Sequence, residues 1–557
     1  MDTGNLIRKH ALKNAVEHDG KASPGSIVGR VIGEAPELKA KVSELMPEIN
    51  NIVRQVNSLS LEEQKKELLA IDSGALKKEK KKKEMPELRN AVMGKVVTRM
   101  PPEPSKYLHI GHALSFLINY LYAKKYEGKC ILRFDDTNPE KGSQEYVDSG
   151  LDDINNYLEI KPDRILFASD DVGKMIEKAN ELVEKGKAYV CACPKENMSD
   201  LREKGKACEC REKSVESSLS EWKGMQDGMF EEGERTLRLK IDMESRNYVM
   251  RDPVIFRIVK KTHFRQKDKY KAWPMYDFES ALEDSWCGIT HILRSNEFGR
   301  MREELQDYIK DLFGLPKQTV IQYGRFNIRG ASTQGREIRE RIEKGELLGW
   351  DDPRLVTLKA LKRRGIFKET FFEMVKHVGL SKTPTNIDWF VVQRFNRKLA
   401  DKKVRRLIGV AEPVRVRIAG APERAVSLKF HPDQDFGSRE IKTGEGFILD
   451  KKDYDKMEEG KLYRLMDCLN FRKEKGKLVF DSVEHERFKQ GGESIMHWLP
   501  DDGKQTVKVK MMMPDASLVE MIAEKAVGLV KAGEVVQFER FGFVRKDSGN
   551  SFWYSHK

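Results

Sequence analysis

Two histidines with a glycine between them are the residues of this sequence best suited to chemistry. His109, Gly111 and His112 lie where a short apolar run gives way to a helical pattern. Imidazoles can donate hydrogen bonds to phosphate oxygens, the amides at the start of a helix attract anions, and a glycine lets a base or ribose approach the backbone. The motif predicts a polyphosphate site in which both histidines stabilise a departing pyrophosphate. The alternative is that they only cap the helix.

Four of the seven cysteines form two C-x-C pairs in a basic stretch. Four thiolates can bind Zn²⁺ tetrahedrally, and such a site has no open coordination position, so the ion would be structural. Because zinc ribbons more often show C-x₂-C, a three-ligand or metal-free form is the alternative. The predicted ligands are Cys191, Cys193, Cys208 and Cys210.

The elements around the histidines match a βαβ unit. Short buried strands are predicted at residues 96–97 and 130–134, with a proline-rich turn at 101–105 after the first. Between them Leu114 and Ile118 recur at helical spacing. Strand, turn, helix and strand in this order are typical of a parallel nucleotide-binding sheet.

The composition favours a cytoplasmic protein with a polyanionic partner. The chain has 557 residues, and its 102 Lys and Arg exceed its 89 Asp and Glu, which gives a net charge of +13. Basic side chains bind phosphates, although the same surplus can simply solvate a surface. The sequence lacks an apolar run of membrane-spanning length and the apolar core of a secretory signal. We therefore expect no membrane contact.

Changes of pattern along the chain predict several domains. Residues 1–90 are predicted to be helical, with Ile49 and Val53 at amphipathic spacing. The lysine run at 77–83 is expected to be a solvated linker, and an arm that contacts RNA or a partner is the alternative. After about residue 410 the alternation of apolar and charged residues predicts a β-sandwich or barrel.

Several blocks resemble the class I aminoacyl-tRNA synthetases. Leu108–His112 matches the HIGH signature, and the surrounding blocks are similar to the glutamyl/glutaminyl subgroup, most of all to glutamyl enzymes of the archaeal and eukaryotic type. The resemblance covers nearly the whole chain. Its further blocks are Arg99, Pro101–Pro104, Leu132–Glu140, Pro274–Phe278, Gly288–His291 and Gly349–Arg354.

The resemblance implies a multidomain α/β fold built on a Rossmann-type catalytic domain. The implied domains are a helical N-terminal extension (1–90), the first Rossmann half (91–189), an inserted acceptor-end-binding domain with the cysteines (190–255), the second Rossmann half (256–330), the second ATP loop with a helical stem-contact region (331–410), and β-barrels that bind the anticodon (411–557).

The resemblance also implies a reaction. ATP, with Mg²⁺ on its phosphates, and L-glutamate would form glutamyl-adenylate, whose acyl group passes to the 3′ end of tRNA(Glu) and, in a non-discriminating enzyme, also of tRNA(Gln). This chemistry needs positioning and charge stabilisation. The alternatives are a glutaminyl-tRNA synthetase and a non-catalytic tRNA-binding or scaffold protein. A monomer is expected, with residues 1–90 available to a protein partner.

Four residues match the amino-acid pocket of the family. Arg99 and Arg294 would hold the two carboxylates of glutamate, one each, because a guanidinium distinguishes a carboxylate from the isosteric amide of glutamine. Asp135 would receive the α-ammonium, and Tyr276 would hydrogen-bond the substrate. Glutaminyl enzymes typically carry an uncharged residue in place of Arg294, which favours glutamate. The alternatives are a surface ion pair for Arg294 and simple packing for Tyr276.

The second ATP loop of the family, KMSKS, departs from its pattern here. Ser332 and Thr333 match its small hydroxyl positions, but Gly335 stands where the lysine is expected. Arg336 is the first candidate to supply the missing cation, and Arg329 is the reserve.

Three residues are expected to contact tRNA by resemblance and position. Asp284 matches a residue near the first base pairs of the acceptor stem. Arg363 and Arg364 end a basic helix that would face the inside of the L-shaped RNA, with a solvated helix face as the alternative.

Overall fold

The chain divides into two compact units, residues 1–83 and 84–557. No helix in the described part of the chain is long and apolar enough to cross a membrane. The lysine run at 77–83 lies outside the described residues. The computed structural model describes residues 3–18, 20–35, 37–38, 42–72 and 85–557.

Helices form the first unit around a core of its own. Ile49 and Val53 are buried as their spacing predicts, and the second helix begins at Pro24, a residue that favours a first helical turn. Ser60 and Glu63 form a capping box at the start of the fourth helix. The helices are α1 (Thr3–Glu17), α2 (Pro24–Glu34), α3 (Val42–Asn57) and α4 (Leu61–Ile71).

The strands between residues 97 and 387 are β1 (Val97–Met100), β2 (Lys129–Phe134), β3 (Arg164–Phe167), β4 (Ala188–Cys191), β5 (Thr236–Leu239), β6 (Val254–Ile258), β7 (Ala272–Pro274), β8 (His291–Ser295), β9 (Thr319–Tyr323), β10 (Phe326–Ile328) and β11 (Thr385–Ile387). The strands β1, β2 and β3 pair in parallel, as do β8 and β9. The Val97 amide donates to Thr290 Oγ1 (2.8 Å), which joins the start of β8 to β1. The predicted βαβ unit is confirmed.

The chain between β3 and β8 forms an antiparallel sheet, β4-β5-β6-β7. This insertion separates the two halves of the parallel sheet along the sequence, although they are neighbours in space. Helices cover both. They are α5 (Ile110–Lys125), α6 (Gln144–Asp152), α7 (Val172–Glu184), α8 (Lys195–Glu203), α9 (Val215–Asp227), α10 (Tyr276–Trp286), α11 (Gly299–Leu312), α12 (Gly335–Glu343), α13 (Leu358–Arg363), α14 (Lys368–Val378) and α15 (Trp389–Ala400).

The C-terminal region is β-rich, as predicted. Two seven-stranded sheets, β12-β25-β26-β27-β23-β24-β13 and β21-β18-β19-β20-β14-β17-β22, each bury an apolar core. The strands are β12 (Arg406–Leu407), β13 (Gly409–Val410), β14 (Pro413–Ala419), β15 (Arg424–Lys429), β16 (Ser438–Thr443), β17 (Gly446–Asp450), β18 (Leu462–Leu465), β19 (Asn470–Glu474), β20 (Lys477–Ser482), β21 (Gly492–Met496), β22 (Leu499–Pro500), β23 (Thr506–Met512), β24 (Leu518–Glu524), β25 (Val535–Phe538), β26 (Gly542–Lys546) and β27 (Ser551–His556), with short helices α16 (Lys451–Asp455) and α17 (His485–Lys489).

Candidate active site

His109 and His112 lie at the first turn of α5, and the backbone sets the position of their protons. Nδ1 of His109, the N-cap residue, accepts a hydrogen bond from the Gly111 amide (3.1 Å), and Nδ1 of His112 accepts one from the His109 amide (3.1 Å). The ring centroids lie 3.9 Å apart. Because Nδ1 is an acceptor in both rings, each neutral imidazole carries its proton on Nε2. Capping is therefore compatible with phosphate binding, since Nδ1 caps and Nε2–H can donate.

Both imidazoles are held neutral. Burial lowers the pKa of His112 to about 3, and the charge of Lys106 acts in the same direction. Burial also lowers the pKa of His109, and His112 and the charge of Lys106 lower it further. The glycine of the motif makes room for a ring, because a Cβ at Gly111 would lie 2.9 Å from Cε1 of His109. The turn thus presents neutral donors with fixed orientation.

The second loop meets the histidine turn at Thr333. The carbonyl of Thr333 accepts a hydrogen bond from Nζ of Lys106 (3.0 Å), which lies three residues before His109. Arg336 is 91% exposed, and its Nε donates to Glu340 on the same helix (2.9 Å). The loop backbone is therefore close to the turn, whereas the Arg336 side chain is directed to a partner on α12.

The other predicted loop residues are held locally. The Ser332 hydroxyl donates to Glu337 (2.6 Å) and accepts from the Gln334 amide (3.2 Å), which stabilises the start of α12. Arg329 is 64% exposed, and its guanidinium lies 3.7 Å from the Asp388 carboxylate. In this conformation these side chains organise the loop.

Four charged side chains on β1, β2 and α10 and at the end of β2 form a continuous chain. Nε of Arg99 and Nη1 of Arg133 both donate to Oδ1 of Asp284, at 3.0 and 2.8 Å, and Nε of Arg133 donates to Asp135 (2.7 Å). Burial raises the pKa of Asp284, but Arg99 and Arg133 outweigh it and hold that pKa below its ordinary value. Asp284 is therefore ionised and orients both arginines.

The position of Asp284 corrects the prediction that it contacts tRNA. Its side chain is 1% exposed and is contacted by two buried arginines, so RNA does not reach its carboxylate in this fold. An acidic residue on a helix resembles a surface residue in sequence. Only the packing of α10 against the sheet shows that it is buried.

The charges of three residues predicted for the amino-acid pocket act on the fourth, Tyr276. Burial raises the pKa of the Tyr276 phenol, the positive charges of Arg99 and Arg294 lower it, and the negative charge of Asp135 raises it. All three charged groups therefore lie within electrostatic range of one hydroxyl. A site for an amino acid with two carboxylates and one ammonium needs this combination of charges.

Arg294 is buried, which excludes the surface ion pair that was its alternative. Its side chain is 4% exposed, and Nη1 donates to Oε1 of Gln306 (2.9 Å), whose Nε2 donates to Asp277 (3.1 Å). Two carboxylates could have formed that pair: Glu297 pairs with Arg325 instead, and Asp284 pairs with Arg99 and Arg133. Gln306 on α11 therefore helps to orient the guanidinium.

A cleft of about 900 Å³ opens beside these residues. Asp135 and Tyr276 line it together with Glu279, whose carboxylate accepts a hydrogen bond from the Thr137 hydroxyl (2.5 Å). Residues of the inserted sheet, such as Arg257 on β6, complete its wall. This volume is in the range of cofactor and substrate sites.

The four predicted zinc ligands form one cluster, with their sulfur atoms all within 4.8 Å of one another. The Sγ atoms of Cys191 and Cys208 are 3.8 Å apart, and those of Cys193 and Cys210 are 4.0 Å apart. With Zn–S bonds of about 2.3 Å, the edge of a tetrahedral site is about 3.8 Å. Nη1 of Arg238 lies 3.7 and 3.6 Å from the first pair, where it favours thiolates. The donor set and its spacing fit zinc.

The two arginines predicted to contact RNA tie α13 to the last strands. Arg364 is 4% exposed, stacks on Trp389 and donates to the carbonyls of Pro353 (3.0 Å) and Ser555 (3.1 Å), so its predicted RNA contact is corrected to a structural role. The side chain of Arg363 is 34% exposed and pairs with two aspartates. Of the pair, only Arg363 keeps appreciable exposure.

Comparison with known proteins gives full-length matches. Residues 95–401 match the model described as tRNA synthetases class I (E and Q), catalytic domain, and residues 404–485 and 495–547 match two models of the anticodon-binding domain of the same family. The glutamate–tRNA ligase of Pyrococcus abyssi is 40% identical, with 98% of each chain covered, and that of Nitrosopumilus maritimus is 39% identical, with 99% of each covered. A solved glutamate tRNA ligase from Elizabethkingia meningosepticum is 15% identical over 55% of this chain and 70% of the other, with a TM-score of 0.40.

Proposed function

Because the chain belongs to the class I tRNA synthetases of the E and Q type, we propose that it is a glutamate–tRNA ligase. The observation that carries the choice of amino acid is the buried Arg294 near Tyr276, taken with the similarity to relatives of that name over nearly the full chain. A buried guanidinium favours a carboxylate over the amide of glutamine, because a cation attracts the negative carboxylate more strongly than the neutral amide.

In the proposed first step, an oxygen of the α-carboxylate of glutamate attacks the α-phosphorus of MgATP. The bond from that phosphorus to the bridging oxygen breaks, and pyrophosphate leaves with the electron pair. His109 and His112 donate Nε2–H to phosphate oxygens and stabilise the charge that gathers there, in keeping with their neutral state. No proton needs to be removed by a side chain in this step.

The pocket residues hold glutamate for that attack. Asp135 receives the α-ammonium, and Arg99 and Arg294 bind the two carboxylates, one each. Arg99 is oriented by Asp284 and Arg294 by Gln306, so both guanidinium groups are fixed before the substrate arrives. Such preorganisation lowers the entropic cost of the reactive geometry.

In the second step, a ribose hydroxyl at the 3′ end of tRNA attacks the acyl carbon and releases its proton to solvent. The bond from that carbon to the phosphate oxygen breaks, and AMP leaves with the electron pair. The inserted sheet β4–β7 borders the cleft and is the proposed site for the acceptor end. The C-terminal sheets are the proposed anticodon-binding part, supported by the match of residues 404–485 and 495–547 to models of that name.

We also propose that Cys191, Cys193, Cys208 and Cys210 hold one structural Zn²⁺. The support is the near-tetrahedral spacing of their sulfur atoms and the cation of Arg238 beside them. An ion bound by four protein ligands would stiffen the start of the inserted region and take no part in catalysis.

The proposed function is tested by aminoacylation of transcribed tRNA(Glu) and tRNA(Gln) with radiolabelled glutamate or glutamine. Glutamate on tRNA(Glu) is expected, and transfer to tRNA(Gln) as well would identify a non-discriminating enzyme. Transfer of glutamine would refute the role of Arg294. Binding of tRNA without charging by either amino acid would favour a scaffold.

A further inference from the structure

Lys106 occupies the junction between the histidine turn and the second loop. Its Nζ donates to the carbonyl of Thr333 (3.0 Å), and its charge lowers the pKa of both His109 and His112. The side chain is half-buried, and burial lowers its own pKa. Lys106 lies three residues before His109, the N-cap of α5, and a helix N-terminus favours anions.

Lys106 and Gly335 are sterically complementary. A Cβ built on Gly335 would lie 3.0 Å from Cβ and 3.1 Å from Cδ of Lys106, closer than ordinary contacts allow. The stem of Lys106 therefore fills the space that a side chain at position 335 would occupy. Gly335 is the first residue of α12 and is not among the glycines with positive φ, so its backbone would accept another residue.

The two arginines considered earlier for this role are less well placed. Arg336 is 91% exposed and bound to Glu340, and Arg329 is 64% exposed. Lys106, in contrast, donates a hydrogen bond to the loop, and its charge lowers the pKa of both imidazoles.

We propose that Lys106 supplies, from the histidine side of the site, the phosphate-binding cation that the second loop lacks at Gly335. When ATP binds, Nζ exchanges the Thr333 carbonyl for an oxygen of the β- or γ-phosphate. In this arrangement the cation comes from the histidine turn, and the missing side chain at Gly335 leaves space for the stem of Lys106. The inference rests on the proposed function for its place in the reaction, but its binding test needs only nucleotides.

The test compares the affinities of the full-length protein for MgATP and AMP by calorimetry. Lys106→Met keeps the apolar stem and removes the charge, so the Kd for MgATP is expected to rise about 10-fold to 100-fold, as for loss of one charge-assisted hydrogen bond. The Kd for AMP, which lacks the β- and γ-phosphates, is expected to change less than about 2-fold, because the variant loses no contact to AMP. Lys141→Met is the matched control, since Lys141 is exposed, pairs with Glu103 and is close enough for its charge to act on Lys106.

A variant that moves the lysine to the loop distinguishes phosphate binding from a purely structural role. In that role, called a latch here, Lys106 would only hold the loop in place through its hydrogen bond to Thr333. Lys106→Gly combined with Gly335→Lys returns the cation to the loop and removes the steric conflict, so MgATP affinity is expected to recover most of the loss seen in Lys106→Gly alone. A latch role would not be rescued by a lysine at position 335. An equal loss of AMP and MgATP affinity, no loss of either, or no rescue would each overturn the proposal.

Activity assays keep the two proposals distinguishable. If the wild-type chain charges neither glutamate nor glutamine, the proposed function fails, yet the nucleotide affinities still decide the role of Lys106. If the wild-type chain charges glutamate, Lys106→Met is expected to lower kcat for aminoacylation by about 100-fold to 1000-fold, as for loss of a group that stabilises transition-state charge. Lys141→Met is expected to leave kcat unchanged, and a Lys106→Met variant with the kcat of the wild-type chain would overturn the inference.

Discussion

Replacing Asp284 by asparagine removes the negative charge shared by Arg99 and Arg133. All three side chains are at most 2% exposed, and Oδ1 of Asp284 accepts from both arginines. Breaking a buried ion pair costs about 3–5 kcal/mol, and because asparagine keeps one acceptor oxygen we expect a loss of about 3 kcal/mol in the free energy of unfolding. Arg99 also loses its orientation, so kcat/KM for glutamate should fall about 100-fold.

Urea unfolding followed by tryptophan fluorescence measures the first effect, and aminoacylation at varied glutamate concentration measures the second. Asp311→Asn is the matched control, because Asp311 is 60% exposed in its pair with Lys317 and such pairs contribute at most about 1 kcal/mol. A loss for Asp284→Asn no larger than that of the control, or an unchanged kcat/KM, would refute the reasoning that this carboxylate orients the pocket.

Three further predictions concern the pocket, the metal and the histidines. Arg294→Gln should lower kcat/KM for glutamate by at least about 100-fold with little change in the KM for ATP, and equal loss for both substrates would argue against a pocket role. Cys208→Ser should abolish bound zinc in elemental analysis, whereas Cys468→Ser, far along the chain in the β region, should keep one zinc per chain. Burial lowers the pKa of His112 from its ordinary 6.5 to about 3, so between these pH values the unfolded state binds more protons than the folded state. The contribution of His112 to the free energy of unfolding is therefore fully present above pH 6.5 and is lost as the pH falls towards 3. His112→Asn should flatten this dependence in urea titrations, and an unchanged slope would contradict the burial of a neutral ring.

Local patterns were sufficient for the features that depend on neighbours in the chain. The strand before the histidines, the helix α5 and the strand β2 follow from periodicity and turn residues within a short window. The histidine turn could be placed at a helix start for the same reason. That His109 is the N-cap and His112 the third residue of α5 came from the structure.

Side chains brought together across long separations could not be assigned in this way. Nothing in the sequence near Asp284 indicates that it contacts Arg99 and Arg133. Arg364 resembles a surface cation in sequence, and only the structure shows its hydrogen bond to the Ser555 carbonyl on β27. Lys106 meets Thr333 only because the second loop returns to the first helix.

The residue types available for the chemistry can be read along the chain: imidazoles at a helix start, four thiols in two pairs and arginines expected near the pocket. The tertiary structure decided which charges are buried and paired, because desolvation and ion pairing depend on the neighbours in space. It also decided which cation faces the second loop. Lys106 meets the loop there, and a Cβ at Gly335 would lie only 3.0 Å from the Cβ of Lys106, a proximity that exists only in the folded chain.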